Sequence, residues 1–345
     1  MGDRTGLGGS RKLSNGACAA LLLCLLLAAV LISFVLGRYP VTPVQLAGIL
    51  LSRIFEITPT WTETMEMVVF NIRLPRILMA CMVGCALSAA GASYQGVFQN
   101  PMAAPDILGA TSGAAFGAAL AILLRQSSAA IMVSAFIFSM MTVLLVIFVA
   151  GRARGKRVLG LILSGIMISS LFSSATSFLK LVADPSDQLP AITYWLMGSL
   201  SGTKNKDLLF AFIVMVIGLI PLILLRWRMN VLTLGDDEAR TMGVNAGRVR
   251  FIVIISATLI TAAATSVSGM IGWVGLVIPH LTRRLTGNDF RRLLPASMAA
   301  GAVFLLAVDN VSRCLLAVEI PIGILTAFIG APFFIYLITR EGERY

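Results

Sequence analysis

Long apolar runs separated by short polar segments dominate the pattern along the chain. A helix needs about 20 apolar residues to cross the hydrocarbon core of a bilayer. Ten candidate runs lie at 17–36, 74–97, 106–124, 129–150, 158–181, 208–225, 249–268, 271–286, 293–312 and 321–339. The pattern predicts an all-α, polytopic membrane protein with about ten transmembrane helices, in a single transmembrane domain over residues 1–345.

The eighth run, 271–286, differs from the others because it is short and glycine-rich. It contains Gly272 and Gly275, follows Gly269, and includes Pro279. Irregular backbone at membrane depth is tolerated only where it packs inside protein or lines a cavity. We therefore expect a broken helix, interrupted at Pro279.

The composition agrees with a membrane location. Of the 345 residues, 58% are hydrophobic and 12% are charged, and the mean hydropathy is +0.91. Soluble domains carry about 25% charged residues. The net charge of +11 does not indicate nucleic-acid binding, because the basic residues form short clusters between apolar runs rather than one basic face.

The distribution of Lys and Arg predicts the orientation of the spans. With the N-terminus inside, the inner segments carry 18 of these residues and the outer segments carry 9. The inner set begins with a basic N-terminal segment that contains Arg4, Arg11 and Lys12. Because cytoplasmic loops are enriched in Lys and Arg, both termini are predicted to lie inside.

Two polar segments are longer than a connection requires, and the outer one spans residues 37–72. It contains the amphipathic stretch "VQLAGILLSRIF" at 44–55, which is typical of a helix lying along a membrane surface. The inner segment spans residues 229–250.

Three arginines lie at outer helix ends, against the general charge bias. Arg73 and Arg76 flank Pro75 at the start of the second span, and Arg313 ends the ninth. Pro75 fits the first turn of a helix, where no intrahelical donor is lost. The arginines either reach lipid phosphates or form an outward basic rim that docks something acidic, and the second interpretation explains why they occur together.

The inner segment reads "MNVLTLGDDEARTMGVNAGRVR". Asp236 and Asp237 are placed to cap a short helix, and Gly243 is placed to end it. A second short helix is expected to start near Asn245. A compact helical pair that protrudes inward is more than a simple connection needs.

Ionisable groups within the spans are few. Asp309 precedes Arg313 by four residues, so the two are expected to pair on one helix face. Asp106 is placed to cap the third span, and His280 reads as a hydrogen-bonded residue rather than a proton relay. No series of buried carboxylates crosses the bilayer, as proton-driven pumps require.

Neither metal nor nucleotide chemistry has a motif here. Cys81 and Cys85 share a helix face, but free cysteines of this kind usually serve in packing. The string "GRARGKR" at 151–157 has the wrong glycine spacing for a phosphate-binding loop and lacks Ser or Thr after the lysine.

Several strings together resemble the FecCD-type permeases of binding-protein-dependent ABC importers for ferric siderophores, haem and cobalamin. They are "RLPRIL" (73–78), "YQGVFQNPMAAPDILGATSGA" (94–114), "LGDDEARTMGV" (234–244), "IGWVGLVIPHLTR" (271–283) and "EIPIGILTAFIGAPFF" (319–334). The resemblance covers nearly the whole chain. Ala104 is a departure, since many relatives carry an acidic residue there.

The resemblance implies a type II ABC importer permease fold in a bacterial cytoplasmic (inner) membrane. It implies a homodimer in membrane lipid, two ATPase subunits beneath it that bind ATP and Mg, and a substrate-binding protein above, with no cofactor in this chain and no nucleic acid. Arg73, Arg76 and Arg313 fall where relatives dock the binding protein. The ATPase-coupling helix falls on Gly235, Asp236, Asp237, Glu238, Ala239, Arg240 and Gly243.

The substrate stays open at this stage. Ferric siderophore is the leading prediction, with cobalamin, haem and oxyanions such as molybdate as alternatives. A secondary transporter or channel without an ATPase is the alternative from another class. A membrane enzyme is disfavoured because no set of nucleophile, base and metal ligands is present.

Overall fold

The computed structural model describes residues 15–53, 55, 58–152 and 157–341, and within them the protein is all-helical. Arg4, Arg11 and Lys12 lie outside this range, as does Ile54 of the predicted surface helix. The described helices are α1 Asn15–Val35, α2 Pro43–Leu51, α3 Glu63–Met67, a π-helical turn Val68–Arg73, α4 Leu74–Val97, α5 Ala110–Leu123, α6 Ser128–Ala150, α7 Arg157–Val182, α8 Gln188–Met197, α9 Asn205–Leu232, α10 Asp236–Thr241, α11 Ala246–Ser268, α12 Val274–Thr286, α13 Phe290–Cys314 and α14 Ile322–Glu341.

Each of the ten predicted spans coincides with one helix. Among the described residues, seven helices are long and apolar enough to cross a membrane, and α5 and the first part of α14 are shorter apolar helices. The pattern missed α8, whose ten residues are too few to give a span signal. Gln188 at the start of α8 donates to the carbonyl of Leu123 at the end of α5, at 2.9 Å.

Two predicted boundaries were wrong. The third span begins at Ala110 rather than at 106, because Gly109 adopts a left-handed conformation (φ +80°) and precedes the helix as its N-cap. Asp106 therefore does not cap a helix, and it lines a cavity of about 320 Å³ instead. The sixth span continues past 225 to Leu232, so the inner connection is shorter than residues 229–250.

The predicted break at Pro279 was also wrong. Helix α12 runs through Pro279 without interruption, and the irregular backbone lies at 269–273 instead. A proline removes the N–H that would bond the carbonyl four residues earlier, which here belongs to Gly275. The side chain of Gln95 approaches that carbonyl at 3.5 Å and the next one, of Leu276, at 3.4 Å. A neighbouring helix thus supplies the partner that the proline removed.

Helix α4 is the central helix of the bundle, and most of its side chains are buried. Glycines permit its close approach to two neighbours. A Cβ on Gly91 would lie 1.7 Å from the carbonyl oxygen of Gly275, and a Cβ on Gly84 would lie 2.2 Å from that of Gly301. The small residues of this span therefore serve close helix packing.

The outer segment before α4 contains α2, α3 and the π-helical turn. Thr42 and Gln45 form a capping box at the start of α2, which confirms a helix there, although it ends at Leu51. Pro75 does not start a helix, because α3, the π-helical turn and α4 form one continuous helical run, Glu63–Val97. The π-helical turn ends at Arg73, two residues before the proline, where it can accommodate the missing hydrogen bond.

Candidate functional site

The structure brings the three predicted outer arginines into one region, where two of them, Arg76 and Arg313, contact the same aspartate, Asp309. The Nε of Arg76 donates to Asp309 Oδ1 at 2.9 Å, and its Nη2 lies 2.9 Å from the same oxygen. The Nη1 of Arg76 contacts the carboxylate of Glu319 at 2.9–3.0 Å. Arg76 is therefore held between two carboxylates, one on α13 and one on the connection between α13 and α14.

Arg313 contacts the other oxygen of Asp309, Oδ2, at 3.1 Å, which confirms the predicted pair four residues apart. It also donates to Ser33 Oγ at 2.9 Å and to the side chain of Asn310. Ser33 in turn donates to Asn310 at 2.6 Å. These contacts attach the outer end of α1 to α13.

Arg73 joins the same region through the backbone. Its guanidinium donates to the carbonyls of Phe34, in the last turn of α1, and of Tyr39, just after α1. Arg73, Arg76, Arg313, Asp309 and Glu319, here called the outer arginine cluster, thus connect α1, α4 and α13 at their outer ends. The five charges sum to +1.

The cluster is buried, so the expectation of an exposed basic rim was wrong. The exposed fractions of Arg73, Arg76 and Arg313 are 3%, 5% and 6%. A buried charge needs a paired partner, and the two carboxylates supply it. Glu319 is the accessible member, with 25% of its side chain exposed. The connection that carries it also exposes three apolar side chains: Leu315, Leu316 and Val318.

The inner connector, residues 233–245, differs from the outer arginine cluster because most of its charged side chains are exposed. Its helix α10 is anchored by Ala239, which is fully buried, while Asp237, Glu238, Arg240 and Thr241 point outward. The N-cap is Gly235, with φ +121° and no side-chain capping bond. The prediction that Asp236 and Asp237 cap this helix was therefore wrong, because both lie within its first turn.

Asp236 instead pairs with the helix that follows. It accepts two hydrogen bonds from Arg250 of α11, at 2.6 and 3.1 Å. The Arg250 side chain is 3% exposed. This two-bond geometry fixes the direction of α10 relative to α11.

The predicted end of α10 is confirmed. Gly243 has φ +75° and donates to the carbonyl of Arg240 at 3.0 Å, while Val244 donates to that of Ala239 at 2.9 Å. This is the Schellman arrangement, in which glycine is favoured. Asn245 then caps α11 itself through Arg248 N–H, so no second short helix is present in the described connector.

The inner end of α4 is bonded to both helices that flank the inner connector. The amide of Gln99 donates to the carbonyl of Leu232, the last residue of α9, at 2.6 Å. The hydroxyl of Tyr94 bonds to Thr258 of α11 at 2.7 Å. Gln95 accepts from Arg283 of α12 at 2.5 Å. Helix α4 therefore joins the outer arginine cluster to the base of the inner connector.

Gln99 has an unusual backbone. Its φ is +52°, and Asn100 N–H bonds to the carbonyl of Gln95 at 3.1 Å. Gln99 thus occupies the left-handed position after α4 where helices usually have glycine. A non-glycine residue in this region costs on the order of 1 kcal/mol. The side-chain bond to Leu232 accounts for a glutamine here.

A second inner contact involves the start of α13. Asn230 of α9 donates to Asp289 at 2.6 Å and accepts from Phe290 N–H at 2.8 Å. Burial acts to raise the pKa of the Asp289 carboxyl, but the hydrogen bonds from Arg291 N–H and Asn230 and the charges of Arg291 and Arg292 outweigh it, so this pKa is lowered. Asp289 is therefore an ionised N-cap.

No metal site is evident in the described part of the chain. Among those residues, no group of three His, Cys, Asp or Glu side chains could hold a metal ion. Cys81 and Cys85 are partly buried free thiols on α4.

Sequence reasoning missed four residues that complete these sites: Glu319, Arg250, Gln95 and Gln99. Each contacts a residue at least 14 positions away, so no local pattern signals the contact. The acidic Glu319 beside an outer helix end was the one available clue, since a buried arginine needs a counter-charge.

Comparison with known proteins identifies the family of this chain. The family model of the FecCD transport family matches residues 25–340. The molybdate import system permease protein MolB of Haemophilus influenzae is 41% identical over 323 residues, covering 92% of this chain and 95% of that protein. An iron chelatin transport system permease protein of Helicobacter pylori is 40% identical, covering 81% and 84%.

A solved structure gives the same result in three dimensions. It is described as an inward-facing conformation of a metal-chelate type ABC transporter, with a TM-score of 0.84, 39% identity, and coverage of 93% of this chain and 98% of that chain. The chain therefore belongs to the FecCD transport family, as a multi-pass membrane permease.

Proposed function

We propose that this permease forms the transmembrane pathway of an ABC importer in a bacterial inner membrane, working as a homodimer with two separate ATPase subunits. The observation that carries the proposal is the inner connector, a short anchored helix with exposed charges. A loop that only joins two spans needs neither the buried Ala239 nor the ion pair between Asp236 and Arg250. A partner surface that pushes on α10 would move α9 and α11 with it.

We propose that α10 is the coupling helix, with Gly235 to Gly243 seated in a groove of the ATPase. Its outward side chains are Asp237, Glu238, Arg240 and Thr241. Helix α4 supports this role because Gln99 and Tyr94 bond both flanking helices. Motion at the connector would thus reach the centre of the bundle and the outer arginine cluster.

The test reverses one outward charge. Glu238→Lys should leave the thermal unfolding temperature of the permease unchanged, since Glu238 is exposed. It should reduce transport per ATP hydrolysed by the reconstituted complex at least about tenfold, as loss of roughly 1.4 kcal/mol of coupling requires. The matched control is Arg152→Gln, at another inner surface. A Glu238→Lys complex that imports at the wild-type rate would remove the coupling assignment.

A simpler measurement separates this proposal from a secondary transporter. An importer of this class should co-purify with an ATPase when both are expressed together, and uptake into vesicles should require internal ATP. Uptake by the permease alone, driven by an ion gradient, would contradict the proposal.

We also propose that a substrate-binding protein docks on the outer face beside the outer arginine cluster. The exposed apolar side chains of Leu315, Leu316 and Val318 and the net positive cluster beneath them suit a partner with carboxylates. Because both carboxylates of the cluster already hold Arg76, an incoming carboxylate must displace Glu319 to reach it. Docking would thereby disturb the contact between α4 and the α13–α14 connection.

For the substrate we propose a bulky ferric chelate of the siderophore class. The likeness to a metal-chelate type transporter and to an iron chelatin permease supports it. The similarity to a molybdate permease makes molybdate the competing candidate. The test is direct: purify the binding protein that docks on this permease, and identify its ligand by mass spectrometry and metal analysis. Bound molybdenum without iron would overturn the ferric assignment.

A further inference from the structure

The two halves of α1 contact the bundle differently. At the outer end, Ser33 bonds to Asn310 and Arg313 of α13. Toward the inner end, α1 is separated from α12 and α13 by a groove with a volume of about 410 Å³. Helix α1 is thus bonded to α13 at its outer end, and the groove lies beside its inner half.

The walls of this groove are almost wholly apolar. Leu22 and Leu26 of α1 line one side, and Pro295, Ala296 and Ala299 of α13 line the other. On its remaining faces α1 exposes further leucines: Leu21, Leu25, Leu27 and Leu31. A helix that exposes leucines around most of its circumference lies at the lipid boundary, so the groove opens directly to the bilayer.

The inner mouth of the groove is positively charged. Arg292 in the first turn of α13 lines it, and Arg284 and Arg291 are exposed on the adjoining helix ends. The nearby carboxylate of Asp289 is already engaged by Asn230 and by Arg291 N–H. The mouth therefore keeps an excess of guanidinium charge at the level of the inner-leaflet headgroups.

We propose that this groove binds one anionic phospholipid of the inner leaflet. Its acyl chain lies between α1 and α13, and its phosphate contacts Arg292. Basic pockets between transmembrane helices on the cytoplasmic side suit anionic headgroups, and guanidinium matches phosphate geometry. The bound lipid fills the space between the two helices and so fixes the inner half of α1.

A lipid fits this groove better than a protein segment does. A transmembrane helix is about 10 Å across, so a helix of a second copy would have to break the bonds that Ser33 of α1 forms with Asn310 and Arg313 of α13. An acyl chain is thin enough to enter while α1 stays in place. It also supplies a negative charge to Arg292 at the mouth of the groove.

The experiment uses the purified full-length permease without partners, so its outcome does not depend on the proposed transport function. Native mass spectrometry would measure binding of phosphatidylglycerol and of phosphatidylcholine to wild type, Arg292→Gln and Ala299→Phe. Arg152→Gln is the matched control, because Arg152 is an inner arginine that stacks on Phe148, away from the groove. Thermal unfolding with each lipid would be recorded in parallel.

Wild type should bind phosphatidylglycerol in preference to phosphatidylcholine and unfold at a higher temperature with it. Arg292→Gln should weaken phosphatidylglycerol binding about fivefold, toward the level of phosphatidylcholine, whereas Arg152→Gln should bind like wild type. Ala299→Phe fills the groove and should abolish the stabilisation by either lipid.

Three outcomes would overturn the proposal. The first is equal binding of the two lipids by wild type, and the second is equal loss in Arg292→Gln and Arg152→Gln. The third is an Ala299→Phe protein that keeps its lipid but changes from dimer to monomer, which would assign the groove to a second copy. If Ala299→Phe fails to fold, the comparison of the two arginine variants decides alone, since both side chains are exposed.

Discussion

The outer arginine cluster and the inner connector carry similar numbers of charged residues but bury them to opposite extents. In the cluster, the side chains of Arg76, Asp309 and Arg313 are 7%, 0% and 8% exposed. In the connector, those of Asp237 and Arg240 are 92% and 74% exposed. In the described structure, therefore, the cluster satisfies its charges internally, while the connector leaves them available to a partner.

The difference shows why charge alone does not identify a docking surface. Breaking a buried pair leaves an uncompensated charge in a poorly solvated place, at a cost of about 3–5 kcal/mol. An exposed pair contributes about 0–1 kcal/mol. The cluster therefore stabilises the contacts between helices, and Glu319 is its member that a partner can reach. The exposed charges of the connector can form or lose contacts with a partner at little cost in free energy. Four predictions, in decreasing size, test this contrast.

The largest effect is expected for Asp309→Asn. This change removes the charge that neutralises both Arg76 and Arg313, so it should destabilise the fold by about 3–5 kcal/mol. Thermal unfolding of the purified protein, followed by intrinsic fluorescence, measures it. Asparagine has nearly the same size and shape as aspartate, so the packing around residue 309 is kept. An unfolding temperature equal to that of wild type would mean that the cluster is not a structural unit.

The next effect concerns the connection between the two regions. Gln99→Glu keeps the size of the side chain but replaces the donor to the Leu232 carbonyl with a carboxylate. This change should lower the free energy of unfolding by about 1–3 kcal/mol. Gln99→Lys keeps a donor and should recover most of the loss. If Gln99 only filled space, Glu would be tolerated better than Lys. A Gln99→Glu protein that is more stable than Gln99→Lys would therefore contradict the proposed role.

The same pair of variants tests transmission through α4. In the reconstituted complex, Gln99→Glu should lower transport per ATP hydrolysed, and Gln99→Lys should stay near wild type. If Glu238→Lys uncouples the complex while Gln99→Glu does not, the connector acts on the bundle by a route other than α4.

A smaller effect is expected for Glu319→Gln. Glu319 is partly exposed, so the change should cost no more than about 1 kcal/mol of stability. Because it removes the internal competitor for Arg76, it should raise affinity for an acidic binding protein by up to about fivefold and steepen the salt dependence of association. Unchanged affinity and salt slope, measured by surface plasmon resonance at two ionic strengths, would confine the cluster to a structural role.

The smallest effect is expected for Asp237→Asn on α10. Its contact with Arg240 is 3.5 Å long and solvent-exposed, so the unfolding temperature should not change measurably. A shift comparable to that of Asp309→Asn would abolish the contrast between the two regions.

Much of the helical framework was predictable, because a transmembrane helix leaves a long local signal. The second span, predicted at 74–97, matches α4 residue for residue. The errors occurred where local rules compete with tertiary partners. Pro279 would break an isolated helix, but Gln95 lies beside the Gly275 carbonyl that the proline leaves without a donor. The ten-residue α8 is too short for any hydropathy signal.

The sequence by itself determined the positions of most of the apolar helices, the glycine-ended α10 and the Asp309–Arg313 pair, because each depends on neighbours within one helix or on summed hydropathy. Only the tertiary structure decided that the outer arginines are buried, that Glu319 completes their neutralisation, that Arg250 orients α10, and that Gln99 joins α4 to α9. Those outcomes depend on which side chains meet across 14 to 243 positions of chain. Burial and pairing of a charge depend on such distant neighbours, and no periodicity along the chain encodes them.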